Sequence, residues 1–301
     1  MLDQRGRRMA RPADRNSVEV ALWDKSFVTS DGISLRDFTD LLGNAVIEEP
    51  YVPPADEGPL RDADVGSYVR IPIDGILRDV IIVHKGVPSA AYVGLENTVT
   101  VLSRRVLFSM AFHSGPGRSH DYQNSGIHAH LNNENVGGFL TRIDAPIRNR
   151  ILQVRIPFRP GNGGDSVVVS QGSNGLLVKC FILSITEAGM DSFFVAGSGG
   201  SLPNSLGTRL SFFIGDRGSY ANQRRRAQSI DTNSYVTQFT RTPILGVPGP
   251  PSLPDQLSMA GISANGVELN IGTVSDSVHG VRPAFVLPDN LLINANGEVL
   301  A

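Results

Sequence analysis

A chain of 301 residues, 41% of them hydrophobic, is long enough to bury one large core or two modest ones. Its formal net charge of −2, with charged residues at only 19%, creates no overall field that would draw it to nucleic acid or to an anionic membrane. The sequence contains no apolar run near the roughly 20 residues of a membrane span, and the basic start MLDQRGRRMARPADR lacks the apolar segment of a signal peptide. We therefore expect a soluble protein that neither binds nucleic acid nor inserts into membranes.

The numbers of Cys, Lys, Gly and Pro residues limit the possible folds and sites further. Cys180 is the only cysteine, which excludes an intrachain disulfide and a multi-cysteine metal site. Its apolar neighbours in LLVKCFILS favour a buried thiol over a nucleophile. Lysine accounts for three of the 27 Lys and Arg residues, a bias that codon usage explains more simply than selective arginine chemistry. The 32 Gly and 19 Pro residues argue against a helical bundle and for a loop-rich β or α+β fold.

The first 65 residues differ from the rest of the chain. An Arg-rich start is followed by VEVALWDKSF, a short helix over Ser34–Leu42 and a semi-rigid Pro-rich linker over Pro50–Pro59. Such a segment cannot close a core alone, so Trp23 and Phe27 need another surface to pack on. We predict an N-terminal arm and linker over residues 1–65 and a folded domain over residues 66–301.

From residue 66 onward the pattern predicts short strands. SYVRIPI, RDVIIVHKG and NTVTVLSRRVLF are rich in β-branched residues and are interrupted by Gly or Pro. Ile127 and Leu131, four residues apart, predict a short amphipathic helix, and a second helix is expected over about Asp144–Leu152. Residues 161–175 read as a Gly-rich loop or hairpin and residues 178–189 as a buried strand that enters a turn. Long loops between short strands follow over residues 190–260.

Four segments, in this order, resemble one domain family. They are Tyr122 and Ser125 with Leu131 and Asn132, then FILSITEA at residues 181–188, FTRTP with Arg241 and Pro243, and GVRPAF with Arg282 and Pro283. The family is an uncharacterised domain that is frequent in phage tail and structural proteins and is similar to the C-type-lectin and formylglycine-generating-enzyme fold. The resemblance covers about residues 66–290. This sequence departs from the family pattern at His130 and Phe239, where the family has Trp, and at Thr242, where it has Ser.

The resemblance implies an α+β, C-type-lectin-like domain with short twisted sheets, two short helices and long loops. The residues of these segments are themselves expected to have structural roles. A proline directly after Arg282 fixes extended geometry and lacks a donor, so GVRPAFVLP is expected to be an edge or terminal strand. Arg241 and Arg282 are expected to bond loop carbonyls or carboxylates, with direct ligand contact as the alternative. Ser125 and Asn132 are typical of helix capping and loop fastening.

Enzymatic and metal chemistry find little support. The oxidase that shares the resembling fold needs reactive cysteines, which a single apolar-flanked thiol does not supply. His128 and His130 would point to different faces of the predicted helix, although a strand would bring them to one side. Patterns typical of hydrolases, zinc proteases, phosphate loops and lectin calcium sites are absent from the sequence. We expect no catalytic residues, no metal and no cofactor.

Arg224, Arg225 and Arg226 form the one dense basic patch of the sequence. The simplest interpretation is a solvated loop. The alternatives are an anion or glycan site and an inter-subunit salt bridge, with Tyr220 and Tyr235 nearby in sequence as stacking partners for sugar or guanidinium groups.

These observations favour a non-enzymatic phage structural protein, located in the virion after assembly in the host cytoplasm. Its arm would bind other virion proteins, the chain would form a homo-oligomer, and its long loops would recognise a host-surface glycan or protein. The first alternative is a capsid or baseplate decoration protein, and the second is a non-viral sugar-binding module or enzyme. The fold alone does not decide among them.

Overall fold

The computed structural model describes residues 56–113, 121–160, 168–190, 206–214, 223–244, 258–271 and 278–300. Contacts divide the chain into two compact units, Met1–Pro50 and Tyr51–Ala301. Residues 1–55 of the predicted arm, Trp23 and Phe27 included, lie outside the described residues. Residues 56–65 belong to the second unit, where Leu60 is fully buried and its amide donates to the Leu291 carbonyl at 2.8 Å.

The second unit is α+β and is built mainly from short strands. The strands that the structure describes are β1 (Gly58–Pro59), β2 (Tyr68–Ile73), β3 (Ile76–Lys85), β4 (Thr98–Ser103), β5 (Phe108–Ala111), β6 (Val154–Ile156), β7 (Leu176–Val178), β8 (Cys180–Phe181), β9 (Ala227–Gln228), β10 (Tyr235–Val236), β11 (Gln238–Ile244), β12 (Ser258–Ile262), β13 (Glu268–Ile271), β14 (Val278–Val281), β15 (Ala284–Pro288), β16 (Leu292–Ile293) and β17 (Val299–Leu300). Small pairings join β6 to β7 and β9 to β10, and β1, β16 and β17 form a three-stranded sheet.

The first large sheet has the order β2-β3-β4-β15-β8, with all neighbours antiparallel. Its opening hairpin turns at Asp74 and Gly75, between the paired residues Ile73 and Ile76. Both turn residues have positive φ, 56° and 68°, which is the geometry of a two-residue turn that matches strand twist and which Asp-Gly adopts readily. The predicted strands at SYVRIPI and RDVIIVHKG are confirmed, whereas NTVTVLSRRVLF divides into β4, which ends at Ser103, and β5, which begins at Phe108.

The prediction that GVRPAFVLP is an edge or terminal strand is wrong. β15 pairs with β4 on one side and with β8 on the other, so it lies inside the sheet. The proline does not interfere because Pro283 precedes the first paired residue, and only its carbonyl is used, as acceptor for the Ser103 amide at 2.8 Å.

The second large sheet has the order β13-β12-β11-β14-β5. Its central strand β11 is wholly buried and shifts register against β12 between Phe239 and Pro243. Such an irregularity is where a sheet accommodates a proline inside a strand and re-aims the side chains beside it. Arg241 lies within this irregular stretch, which places its long side chain in the interior.

Two short helices flank the sheets. Helix α1 (Gly126–Asn132) begins at Ser125, whose side chain accepts from the His128 amide at 3.1 Å, and it buries Ile127 and Leu131 as the spacing predicts. Helix α2 (Ala145–Arg148) is only one turn, shorter than expected, because the Leu152 amide leaves the helix pattern to bind the Val286 carbonyl at 2.9 Å. The described 3-10 turns are Tyr122–Asn124, Phe139–Arg142, Gly172–Asn174 and Ser211–Phe213. Among the described residues, none of the helices reaches the length and apolar character needed to cross a membrane.

Candidate functional site

A fully buried ion pair lies where the two large sheets and their connecting segments meet. Arg241, on β11, binds the Glu187 carboxylate through two parallel bonds of 2.5 Å, Nη1 to Oε2 and Nη2 to Oε1. The exposed fractions of the two side chains are 0% and 1%. Charges cost much free energy when they leave water, so such a pair persists only when its remaining donors and acceptors are also satisfied.

Each oxygen of the Glu187 carboxylate accepts one further hydrogen bond. The Tyr92 hydroxyl donates to Oε1 at 2.5 Å and the Ser184 amide donates to Oε2 at 3.0 Å. Burial, reinforced by the Glu187 charge, raises the pKa of Tyr92 well above its usual value. Burial alone would lower the pKa of Arg241, but the adjacent carboxylate outweighs it and the pKa is raised. Tyr92 therefore keeps its proton and Arg241 its charge at any physiological pH.

The pair also fastens loop backbone. Arg241 donates through Nε to the Pro157 carbonyl at 3.1 Å and through Nη1 to the Ile182 carbonyl at 2.8 Å. The Ser184 hydroxyl donates to the Leu206 carbonyl at 2.6 Å. Gly207, next in the chain, has a φ of 93° and lies so close to the Tyr92 hydroxyl that a Cβ would collide with it. Segments from five distant parts of the sequence, at residues 92, 157, 182–187, 206–207 and 241, thus meet at one point.

Arg282 is a second buried arginine that binds backbone carbonyls. Its Nε donates to the Ser103 carbonyl at 2.6 Å and its Nη1 to the Arg225 carbonyl at 3.2 Å. The contacts of Arg241 and Arg282 are the loop carbonyl and carboxylate bonds that the sequence suggested for these two arginines, rather than contacts open to a ligand.

The arginine run 224–226 is not a solvated loop. All three arginines are half-buried, and residues 223–225 form a helical turn. Arg225 donates to the Ala188 carbonyl at 2.8 Å and to the Gly189 carbonyl at 2.6 Å. Arg224 donates to the Phe212 carbonyl at 2.6 Å and lies over the Phe212 ring. The turn 185–190 presents carbonyls to this run, and a sequence pattern cannot reveal such a distant partner.

Arg226 and Tyr235 are brought together, whereas the side chains of Arg224 and Arg225 are not part of this contact. The Arg226 guanidinium lies 4.0 Å from the centre of the Tyr235 ring. Arg224 and Arg225 are directed to other partners, and Tyr220 lies outside the described residues. What remains of the predicted patch is one half-buried cation–aromatic pair on β10 and the turn before β9.

The residues of the first family segment fasten α1 to the sheet. Asn132 accepts from the amides of Lys179 at 2.8 Å and Cys180 at 3.1 Å, and its side chain donates to the Cys180 carbonyl at 2.9 Å. The Tyr122 hydroxyl accepts from the Ile182 amide at 3.3 Å, and Leu131 is fully buried. These contacts agree with the expected loop-fastening role of Asn132.

Cys180, His128 and His130 are the residues in this region whose side chains could carry reactive or metal chemistry. Cys180 is buried, as expected, and burial raises the pKa of its thiol. His128 contacts the Tyr122 ring, whereas His130 contacts Phe108, so the two imidazoles face different partners. Within the described ranges, no three side chains of His, Cys, Asp or Glu converge as a metal site would require.

The described domain matches a known family model. The model of the family described as Domain of unknown function (DUF6273) matches residues 96–289, more than half of the chain. The chain belongs to the DUF6273 family. Neither a curated protein nor a solved structure matches it. The DUF6273 match includes Glu187, Arg241 and Arg282, but begins after Tyr92.

Sequence reasoning missed Glu187 as the partner of Arg241, and Tyr92 as the hydroxyl that donates to Glu187. Glu187 was visible as the one carboxylate in the apolar stretch FILSITEAG, and a charge in such a stretch signals a buried partner. Tyr92 carries no comparable signal, since nothing around it in the sequence distinguishes it from any other aromatic residue in a loop.

The buried pair generates the first prediction. Arg241→Met should lower the free energy of unfolding by about 3–5 kcal/mol, because it leaves the Glu187 carboxylate buried without its cation. The double variant Arg241→Met/Glu187→Met should recover most of that loss, since it removes both charges. Urea unfolding followed by circular dichroism measures both values. A double variant as unstable as the single one would mean that the loop contacts of Arg241, not its charge pairing, stabilise this region.

The second prediction compares three arginines. Arg282→Ala and Arg225→Ala should each lower the free energy of unfolding by about 1–3 kcal/mol, because each leaves backbone carbonyls without a donor. Arg150→Ala is the control: Arg150 is exposed, and its removal should change that free energy by less than about 0.5 kcal/mol. If Arg225→Ala behaved like Arg150→Ala, the run 224–226 would be the solvated loop that the sequence first suggested.

Proposed function

We propose that this DUF6273 protein is a non-enzymatic structural component of a phage or phage-like particle, associated with the tail, fibre or baseplate. In this proposal its domain is C-type-lectin-like and presents loops that recognise the host surface. The resemblance of its four segments to a family frequent in phage structural proteins supports the setting, and the α+β architecture with long connections is compatible with the lectin-like form.

The observation that carries the proposal is the fastening of backbone carbonyls by the buried Arg241 and Arg282 and the half-buried Arg225. Arg241, Arg282 and Arg225 together hold carbonyls of residues 103, 157, 182, 188 and 189 in place. Recognition surfaces gain affinity when their loops are ordered before binding, because less conformational entropy is lost in the complex. A rigid base for long loops is the form that such a surface requires.

The contact surface that we assign is the Arg226–Tyr235 pair with its neighbour in sequence, Tyr220. A half-buried tyrosine under a guanidinium offers an aromatic face and a charge-assisted donor, the two features that bind a sugar ring with polar or anionic substituents. A host-surface glycan is the ligand that this pair favours, with a protein receptor as the alternative.

In the same proposal, the arm over residues 1–65 attaches the domain to other virion proteins or to further copies of the chain. The sequence indicates that the apolar side chains of the arm need another surface to pack on. Residues 56–65 already pack within the second unit, to which they belong. Attachment therefore falls to the residues before Tyr51, where the contact boundary lies.

Binding of the full chain to an array of bacterial envelope polysaccharides tests recognition. Tyr235→Ala should weaken binding to the recognised glycan by about tenfold, since loss of one aromatic contact removes on the order of 1–2 kcal/mol. Arg150→Ala should bind as the natural chain does. Absence of binding to every polysaccharide and to intact cells would overturn the recognition role, and burial of these loops between subunits of a particle would favour the decoration protein.

Deletion of residues 1–50 tests attachment. The remaining chain should stay soluble, unfold cooperatively and lose its ability to join the oligomer or particle, as measured by light scattering and by incorporation into particles. Deletion of residues 1–65 is the matched control: it also removes β1 and the buried Leu60, and should cost about 2–5 kcal/mol more stability. If the shorter deletion were itself unfolded, residues 1–50 would belong to the core, and if it assembled normally, attachment would lie elsewhere.

A further inference from the structure

An open cleft lies beside the first sheet, away from the buried pair. It has a volume of about 200 Å³ and is formed by the start of β3, the connection from β4 to β5 and the turn after β9. The side chains that determine its character are Arg78, Asp79, Ser103, Arg104, Arg105 and Ile230.

The lining of the cleft is positively charged, with three guanidinium groups against one carboxylate. Asp79 is already engaged: Arg104 lies 3.0 Å from its Oδ2, and Arg70 approaches its Oδ1 at 3.6 Å. Asp74, which lies within electrostatic reach of Arg78, is bound by Arg142 at 2.6 Å. Asp79 is therefore balanced by Arg70 and by Arg104 of the cleft itself, and Asp74 by Arg142, so the charges of Arg78 and Arg105 remain for the cleft.

Two of the three arginines of the cleft, Arg104 and Arg105, contact other side chains before any ligand arrives. Arg105 donates through Nη1 to the Asn233 side chain at 2.5 Å, and its carbonyl accepts from the Ser103 hydroxyl at 2.6 Å. The Arg104 guanidinium lies 4.6 Å from the centre of the Tyr68 ring. Ordered guanidinium groups bind anions better than flexible ones, because their rotamer entropy has already been lost.

We propose that this cleft binds a compact oxyanion, a phosphate or carboxylate group carried by a small ligand. A guanidinium presents a planar fork of donors that matches two oxygens of such a group. The volume decides the size class, since clefts for drug-sized ligands occupy roughly 300–1,000 Å³ and this one is smaller. The cleft does not use Arg226 or Tyr235, so the proposal stands independently of the glycan-recognition proposal.

Isothermal titration of the full chain at pH 7 and constant ionic strength tests the site. Inorganic phosphate and glucuronate are the probes, because they separate a phosphate from a sugar carboxylate, and glucose is the neutral control. We expect saturable binding of at least one anion and none of glucose. Arg78→Gln and Arg105→Gln should each weaken it by about tenfold or more, since each removes a charge-assisted bond. Arg150→Gln, which removes an exposed arginine of equal charge, should change the affinity by less than about twofold.

Three results would overturn the proposal: no saturable binding of either anion below about 10 mM, equal affinity in Arg78→Gln, or equal weakening by Arg150→Gln, which would mean non-specific charge attraction. Arg105 also binds the Asn233 side chain, so the folding of Arg105→Gln is checked by circular dichroism. If Arg105→Gln is unfolded, the affinity of Arg78→Gln alone tests the proposal. Anion binding together with a silent polysaccharide array would leave this site standing and remove the recognition proposal alone.

Discussion

The pairing of Arg241 with Glu187 constrains everything around it, because two opposite charges with side-chain exposures of 0% and 1% leave no freedom for the groups that satisfy them. The carboxylate needs Tyr92 and the Ser184 amide, and the guanidinium needs the carbonyls of Pro157 and Ile182. Each of these four residues lies in a connection between strands or helices. Burial of one ion pair therefore specifies where several distant loops meet.

The electrostatics of the cluster of Tyr92, Glu187 and Arg241 suit a structural role better than proton transfer. A group that transfers protons needs a pKa near the working pH, whereas burial and the neighbouring carboxylate move the pKa of Tyr92 further upward, and the carboxylate also raises the pKa of Arg241. Both groups thus keep one protonation state, and their hydrogen bonds keep one direction. Fixed donors and acceptors are what hold the turn 184–189 and the segment around Leu206 in a single arrangement.

Local patterns predicted the elements whose partners are close in sequence. Strands β2 and β3 follow from their runs of β-branched residues, and helix α1 follows from the spacing of Ile127 and Leu131. The errors concern pairings between distant residues: β15 lies inside its sheet rather than at an edge, and Arg225 is bound to the turn 185–190. Nothing local distinguishes a strand with two distant neighbours from a strand with one, and a basic run looks the same whether water or carbonyls receive its donors.

The structure shows that many of the abundant arginines make contacts that lysine could not make. Codon usage explains why arginine is abundant, but the structure uses what only arginine offers: Arg241 and Arg142 bind carboxylates through two nitrogens, and Arg225 binds two carbonyls at once. A lysine ammonium is a compact point charge and would satisfy fewer of these acceptors in such fixed geometry. Where internal acceptors consume the guanidinium donors, arginine acts as a fastener. At Arg78 and Arg105, where the neighbouring carboxylates are already balanced, the same chemistry faces an open cleft, and an external oxyanion becomes the acceptor that it fits.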